Sequence, residues 1–155
     1  KLSRKCLEIL KQHHWPVIVQ TRSPLILRDI DILKGAKDVE VGFTVTTMDD
    51  GIRKLFESSA PPIKDRINAL DVLHRAGIRT YAMIAPMLPG AESLAEALEG
   101  KVDYIIVDRM NYNHADWVYR KYGLDSKLTD NFFHLTSREL ASACRGLGIE
   151  CRVVC

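Results

Sequence analysis

PVIVQTRSPLILRDIDIL, residues 16–33, is the stretch that decides the fold of this chain. Its apolar residues 17–19 predict a buried β-strand, and Pro24 marks the turn into a short apolar helix that reaches Leu33. A strand that ends in polar residues and turns at once into a helix places those residues at the carboxyl edge of a sheet, where α/β proteins bind ligands. We therefore expect residues 21–23 to lie at a ligand-binding edge.

The same alternation of strand and helix continues along the chain. Strand-like apolar runs cover residues 39–46, 78–86, 102–107 and 149–154, and helical patterns cover 2–10, 50–57, 63–74, 91–98, 115–122 and 137–147. Continuous apolar strands between helices indicate a parallel sheet covered by helices. Because a closed eight-unit barrel needs about 200–250 residues, we predict a single α/β domain over residues 1–155. This domain is an incomplete parallel β/α barrel of about five βα units with open edges.

The composition is that of an ordinary soluble domain, with 46% hydrophobic and 27% charged residues. A formal charge of +2 is too small to indicate a nucleic-acid or membrane partner by electrostatics alone, so a nucleic-acid partner stays undecided. The sequence contains no apolar run long enough to span a membrane and no secretory leader, which predicts a cytoplasmic protein with no membrane partner.

Four segments together resemble one protein family. They are TRSPL with the following Arg28-Asp29, GFTVTT at 42–47 with Asp49, Glu57 with APP at 60–62 and Asp65-Arg66, and Gly77-Ile78 with APMLPG at 85–90. Over about residues 16–110 the chain resembles radical S-adenosylmethionine (radical SAM) proteins of the spore photoproduct lyase type. The usual forms in that family are Thr-Lys-Ser-Pro-Leu with Arg-Asp, Ser-Ile-Thr-Thr with Asp, and Glu-Pro-x-Ala-Pro. Arg22 therefore replaces a lysine, and Ser58 replaces a proline.

The resemblance implies an activity and its cofactors. Such enzymes hold S-adenosylmethionine on a 4Fe-4S cluster and cleave it by one-electron reduction to a 5′-deoxyadenosyl radical, which abstracts hydrogen from a substrate. The family's cluster is held by a Cys-x3-Cys-x2-Cys loop after its first strand, and no such triplet occurs in this sequence. We therefore expect no metal ligands and no activity in this chain alone. The chain is interpreted as the carboxyl-terminal part of a longer barrel whose first two βα units are absent.

The resemblance also implies cofactor-binding residues. Arg22 occupies the lysine position at a strand end, where a guanidinium can bind a carboxylate in bidentate fashion; an ion pair with Asp29 or Asp49 is an alternative. Thr44 takes the place of a serine or threonine facing the barrel interior, and Thr46 shares its face by the two-residue period of a strand. Ordinary packing of a β-branched strand residue is the alternative for Thr44.

Two further segments lie at predicted strand ends. A strand that ends in small residues at Ile84 and Ala85 would let an adenine ring approach the backbone, although a simple strand-to-turn transition explains these residues nearly as well. The segment that follows the strand at 102–107 concentrates polar groups, so Asp108, Asn111 and His114 are candidate substrate contacts. Glu57 and Arg66 are interpreted as a buried pair that clamps a loop, with no catalytic role.

The cysteines and histidines do not form a recognisable metal motif. Cys6 is expected to pack under its helix. Cys151 and Cys155 have the four-residue step of a cluster loop, and Cys144 could join them in a thiolate site, but the spacing matches no established pattern. The histidines show no His-Glu-x-x-His spacing.

The interpretation that the first strands are absent predicts what the chain contacts. A parallel sheet without its first strands exposes an edge rich in Val and Ile, so the partners are the missing amino-terminal barrel units or a second copy paired through the Val17–Gln20 region. Two other function classes stay open. One is a β/α-barrel enzyme acting on a small anionic metabolite, and the other is a non-catalytic scaffold that has lost the cluster.

Overall fold

The computed structural model describes residues 2–110 and 113–154. Its strands are β1 (Val17–Thr21), β2 (Val39–Thr44), β3 (Arg79–Ile84), β4 (Tyr104–Val107) and β5 (Glu150–Val153). They form one sheet in the order β1-β2-β3-β4-β5, and every neighbouring pair is parallel. Within the described residues, β1 and β5 each have a strand on one side only. The prediction of an open-edged α/β fold with five parallel strands is therefore confirmed.

Helices connect the strands. The α-helices are α1 (Leu2–Gln12), α2 (Ile30–Lys34), α3 (Asp50–Phe56), α4 (Ile63–Arg75), α5 (Leu94–Leu98), α6 (Asp116–Lys121) and α7 (Asp130–Gly146). Short 3₁₀ helices cover Pro24–Asp29, Ala91–Ser93, Asn113–Ala115 and Asp125–Lys127. All five strands run in the same direction and end at the same edge of the sheet, and each of β1 to β4 is followed there by a helical segment of the crossover to the next strand.

The last long helix begins earlier than the sequence predicted. A start at about Ser137, with Thr136 or Ser137 as N-cap, is wrong: α7 begins at Asp130, and the Thr129 hydroxyl accepts a hydrogen bond from the Phe132 N–H at 3.1 Å. Thr129 has extended backbone and is followed by an acidic first residue, which together form a favourable helix start. Ser137 lies inside the helix, and its hydroxyl donates to the His134 carbonyl.

The hydrophobic core lies between the sheet and the helices. Alternate residues of the strands point into it, among them Val41, Phe43, Ile84 and Ile105, each with 0% exposure. They pack against apolar residues of the covering helices, including Leu33, Leu70, Leu73, Leu94 and Leu140. The opposite side of the same strands is not part of this core, which leaves a second face of the sheet available for other chemistry.

Helix α1 differs from the predicted packing. Cys6 is exposed, so the expectation that it packs under its helix is wrong. Leu7, one position later, is the buried residue of this helix, since a step of one residue rotates a side chain by about 100° around the axis. The helix is also tied down by Arg4, whose guanidinium contacts the buried Asp29 at 3.1 Å and Asp31 at 2.7 Å.

Among the described residues, no helix combines the length and the apolar character that a membrane-spanning segment requires.

Candidate functional site

The face of the sheet turned away from the helices, here called the inner face, presents side chains in registered rows. One row runs across the whole sheet through Gln20, Gly42, Tyr81, Tyr104 and Glu150. Closer to the carboxyl edge, the row Thr44, Met83, Ile106 and Arg152 follows. Partner residues of parallel strands point to the same side, so these residues share one surface.

The first of these rows is filled by two stacked rings. The Tyr81 and Tyr104 rings lie 5.1 Å apart with planes 12° from parallel, and the Tyr104 hydroxyl donates to Glu40 at 2.6 Å. The guanidinium carbon of Arg152 lies over the Tyr104 ring, 4.1 Å from the ring centroid. Burial and then the Glu40 carboxylate raise the pKa of Tyr104 to about 12, because both disfavour the phenolate. The part of the inner face around this first row is therefore filled by the side chains of Tyr81, Tyr104 and Arg152.

Gly42 makes this filling possible. A Cβ built on Gly42 would overlap the Cζ, Cε1 and Cε2 atoms of the Tyr81 ring, so the ring lies directly on the glycine backbone. At the end of the same ring, the Tyr81 hydroxyl donates to Gln20, whose amide in turn donates to the Thr44 hydroxyl, both at 3.4 Å. These contacts connect the first row to Thr44 at the carboxyl edge.

Arg22, just after β1, forms an ion pair that the sequence did not indicate. Its Nε donates to Glu57 at 3.1 Å, and the pairing with Asp29 or Asp49 weighed from the sequence is wrong. Asp29 is bound by Arg4 and Arg28, and Asp49 caps α3 by accepting from the N–H groups of Gly51 and Ile52.

Glu57 and Arg66 form the buried pair that the sequence predicted. Arg66 is 0% exposed and its Nη2 lies 2.7 Å from the Glu57 carboxylate. Arg66 also donates to the carbonyls of Pro61 and Thr44, each at 2.9 Å. This arginine therefore connects the loop after α3 to the carboxyl end of β2.

The two candidate threonines are both buried but differ in their partners. The Thr44 hydroxyl accepts from Gln20, whereas the Thr46 hydroxyl, in a residue with 0% exposure, has no hydrogen-bond partner within the described part of the chain. The backbone carbonyl of Thr46 accepts from the Leu88 N–H at 3.0 Å. A buried hydroxyl without a partner costs free energy, and such groups are found where a ligand or water is bound.

Ile84 and Ala85 are divided by the alternation of β3. The Ile84 side chain belongs to the hydrophobic core, and its carbonyl accepts from the Asp108 N–H at 3.0 Å. Ala85 follows the strand end and is partly exposed. Only Ala85 has a side chain outside the core, so the two residues do not form a common binding surface.

The candidate substrate residues follow β4 beside a pocket of about 310 Å³. Arg109, Asn113, Lys127 and Asp130 contribute to its lining, and the Arg109 guanidinium contacts Asp130 at 2.7 Å. Asp108 and His114 are not among its lining residues, and Asn111 lies outside the described residues. Of the candidate substrate residues that the structure describes, none lines this pocket, and their role in substrate binding stays a prediction.

The described residues contain no group of three or more His, Cys, Asp or Glu side chains able to hold a metal ion. Cys144 of α7 and Cys151 of β5 pack together, and the hydrogen bond between their thiols and then burial raise the pKa of Cys144 far above its usual value. The same hydrogen bond lowers the pKa of Cys151. Cys155, the third member of the thiolate site considered from the sequence, lies outside the described part.

Comparison with known proteins decides the family. Residues 1–99 match the family model of the Radical SAM superfamily. The chain belongs to the radical SAM superfamily. Two similar proteins are uncharacterized protein MJ0683 of Methanocaldococcus jannaschii, 35% identical over 89 residues, and uncharacterized protein ORF301 of Acidianus two-tailed virus, 32% identical over 88 residues. These matches cover 57% and 56% of this chain.

Solved structures of radical SAM proteins share the fold of this radical SAM chain. Spore photoproduct lyase complexed with dinucleoside spore photoproduct superimposes on 97% of the chain with a TM-score of 0.66 at 13% identity. Streptococcus suis SuiB bound to S-adenosylmethionine superimposes on 98% with a TM-score of 0.63 at 13% identity. At such identity the likeness concerns the fold alone.

The radical SAM chain spans only part of the proteins it resembles. It covers 34% of the Methanocaldococcus protein and 29% of the viral protein. It covers 54% of the spore photoproduct lyase chain and 36% of the SuiB chain.

The donors present here fit one of the superfamily's two cofactors. The described residues do not fit a 4Fe-4S cluster, which needs several thiolates together. The carboxyl edge does offer the half-exposed Arg22 guanidinium to a nucleoside carrying an amino-acid chain, and the Thr46 hydroxyl beyond the end of β2 is buried without a partner among the described residues.

The inner-face residues Glu40, Tyr81 and Tyr104 were missed by the sequence reasoning. Glu40 and Gly42 share the strand period of Thr44, so alternation alone was a usable signal for them. The stacking of Tyr81 on Tyr104 was not accessible, because it depends on the register between two strands.

Proposed function

We propose that this chain is the carboxyl-terminal part of a longer radical SAM enzyme and contributes the strands that bind S-adenosylmethionine. The observation that carries the proposal is the set of polar groups at the carboxyl edge of β1 and β2. These are the half-exposed Arg22 guanidinium, the Thr44 hydroxyl and the Thr46 hydroxyl, which has no partner among the described residues. Family membership supports this choice over a β/α-barrel enzyme of another class.

Each residue has a role that follows from its chemistry. Arg22 binds the carboxylate of the methionine part through its planar guanidinium, which matches two carboxylate oxygens better than an ammonium does. Thr46 supplies a buried hydroxyl to the ribose or methionine part, and Thr44 supports the same region from the neighbouring inner-face position. When bound beside a reduced cluster, the cofactor supplies a carbon-centred radical for hydrogen abstraction.

The cluster ligands are proposed to come from outside this chain, because the described residues offer no set of thiolates. The exposed edge of β1, where Ile18 is 70% exposed, is proposed to pair with a preceding strand of the same barrel or with a second copy of the chain. A monomeric mass in solution at high concentration would count against pairing with a second copy.

The function is tested by binding and metal content in the complete protein. After anaerobic reconstitution we expect iron and sulfide in the complete protein but not in residues 1–155 alone. We also expect Arg22→Ala to weaken S-adenosylmethionine binding about tenfold, the loss of one charged hydrogen-bonded contact. A complete protein that takes up no iron is a scaffold without the cluster, and unchanged affinity in the Arg22 variant removes Arg22 from the site.

A further inference from the structure

Glu57 is shared between two arginines that differ in their surroundings. Its Oε2 lies 2.7 Å from Nη2 of Arg66, which is 0% exposed, and its Oε1 lies 3.1 Å from Nε of Arg22, which is 47% exposed. One carboxylate therefore balances a guanidinium in the interior and contacts a second one at the surface.

Arg66 holds the inner end of this arrangement in place. Its Nε donates to the Pro61 carbonyl and its Nη1 to the Thr44 carbonyl, so all three guanidinium nitrogens contact protein oxygens. These bonds tie Arg66 to the end of β2 and to the loop before α4. Glu57, 11% exposed at the C-cap of α3, is thereby held between a rigid arginine and the carboxyl edge of the sheet.

Arg22, at the exposed end of this arrangement, is oriented by Glu57 through one of its three guanidinium nitrogens. The Glu57 contact uses Nε of Arg22, and its Nη1 and Nη2 have no hydrogen-bond partner among the residues that the structure describes. Arg22, Glu57 and Arg66 together carry a net charge of +1. Because Arg22 is the exposed member, the positive charge that Glu57 does not balance lies on the accessible side. Two parallel N–H groups on a fixed guanidinium are suited to binding a carboxylate in bidentate geometry.

We infer that Glu57 and Arg66 are positioning residues, which hold Arg22 in the orientation that receives the carboxylate of S-adenosylmethionine. The inference rests on the proposed function, since it names how that site is organised. Holding a long side chain in its bound conformation before the ligand arrives reduces the entropy lost on binding. Glu57 thus contributes to affinity without touching the ligand.

The test compares two ligands that differ in the amino-acid group. S-adenosylhomocysteine carries the carboxylate, whereas 5′-methylthioadenosine keeps the adenosine and the thioether without it. Titration calorimetry on the reconstituted complete protein should show that Glu57→Gln weakens S-adenosylhomocysteine binding about tenfold and leaves 5′-methylthioadenosine unchanged. The double variant Arg22→Ala/Glu57→Gln should bind no more weakly than Arg22→Ala, since Glu57 acts through Arg22.

Two further variants distinguish a local effect of Glu57 from a general loss of folding. Glu57→Asp keeps the charge that balances Arg66 but is one methylene shorter, so it cannot reach both arginines and should also weaken only S-adenosylhomocysteine. Glu150→Gln removes a carboxylate that is paired with Arg152 at the opposite edge of the sheet, and it should change neither affinity.

The outcomes separate the inference from the proposed function. If Arg22→Ala weakens S-adenosylhomocysteine binding but both Glu57 variants bind like the wild type, the positioning role is overturned and the proposed function stands. Equal weakening of both ligands in the Glu57 variants indicates a merely structural role and also overturns it. A wild-type protein that binds neither ligand overturns the proposed function and this inference with it.

Discussion

The two faces of the sheet are built from alternate residues of the same strands yet follow different rules. The face against the helices is apolar and closed, with Val41, Phe43 and Ile105 at 0% exposure. The inner face carries Glu40, Arg79 and stacked tyrosines, joined by hydrogen bonds and a cation–π contact of Arg79 with the Tyr104 ring. The comparison teaches that one face supplies the apolar burial that stabilises the fold, while the other is held together by polar and aromatic contacts between neighbouring strands.

The largest effect is expected from adjacent isoleucines on β4. Ile105 points into the core and Ile106, of the same residue type, lies half-buried on the inner face. Ile105→Ala should reduce the free energy of unfolding by about 2–5 kcal/mol through lost burial and a residual cavity. Ile106→Ala should cost only about 1 kcal/mol, since less apolar surface is lost.

Urea denaturation of both variants measures this difference. An equal loss of unfolding free energy in both variants would contradict the difference between the two faces, because it would mean that the inner face is packed as tightly as the core.

A smaller effect is expected at Gly42, where the Tyr81 ring of the inner face packs on a residue without a side chain. Gly42→Ala places a methyl group into the Tyr81 ring, which must move from its position between Gly42 and Tyr104, so we expect a loss of about 1–3 kcal/mol. Gly146→Ala is the matched control, because nothing beyond its chain neighbours and the adjoining backbone of α7 lies within 4 Å of its Cβ position. There the substitution should be neutral or stabilise by up to about 1 kcal/mol.

Thermal unfolding distinguishes the two glycine variants. A Gly42 variant as stable as the wild type would show that the tyrosine ring has an alternative position of equal energy.

The smallest effect concerns titration of the inner face. Spectrophotometric titration should place the pKa of Tyr104 at about 12, and Glu40→Gln should lower it by removing a carboxylate that disfavours the phenolate. Because the pKa is raised in the folded state, its contribution to stability is complete below the unfolded value of about 10. This contribution is lost as the pH rises from there through about 12.

Tyr104→Phe identifies the signal in that titration by removing the phenol itself. Glu40→Gln should also cost about 1 kcal/mol at neutral pH. A pKa of Tyr104 that does not respond to Glu40→Gln would mean that burial alone raises it.

Much of the architecture could be predicted because local patterns specify it. Apolar runs of strand length alternating with helical periods require parallel strands with helical crossovers, and all five strands were found. The start of α7 was missed because Thr129 and Thr136 are both suitable caps by residue type. The choice between them was made by tertiary contacts, as Phe133, Thr136 and Ser137 are all buried.

The candidate site was predicted less completely. The pair of Glu57 with Arg66 was recognised, whereas the partner of Arg22 was not, because Glu57 lies 35 residues away in the sequence. An ion pair between distant segments depends on how two strand ends are placed relative to each other.

By itself, the sequence determined the open-edged parallel α/β fold, its superfamily and the absence of a cluster-binding cysteine triplet, because these follow from periodicity and local motifs. Only the tertiary structure decided that one carboxylate holds two arginines and that a tyrosine ring lies on Gly42. It also decided that the Ile84 side chain belongs to the core. The physical reason is that register and side-chain packing join residues far apart in the chain, and no local pattern records which of them meet.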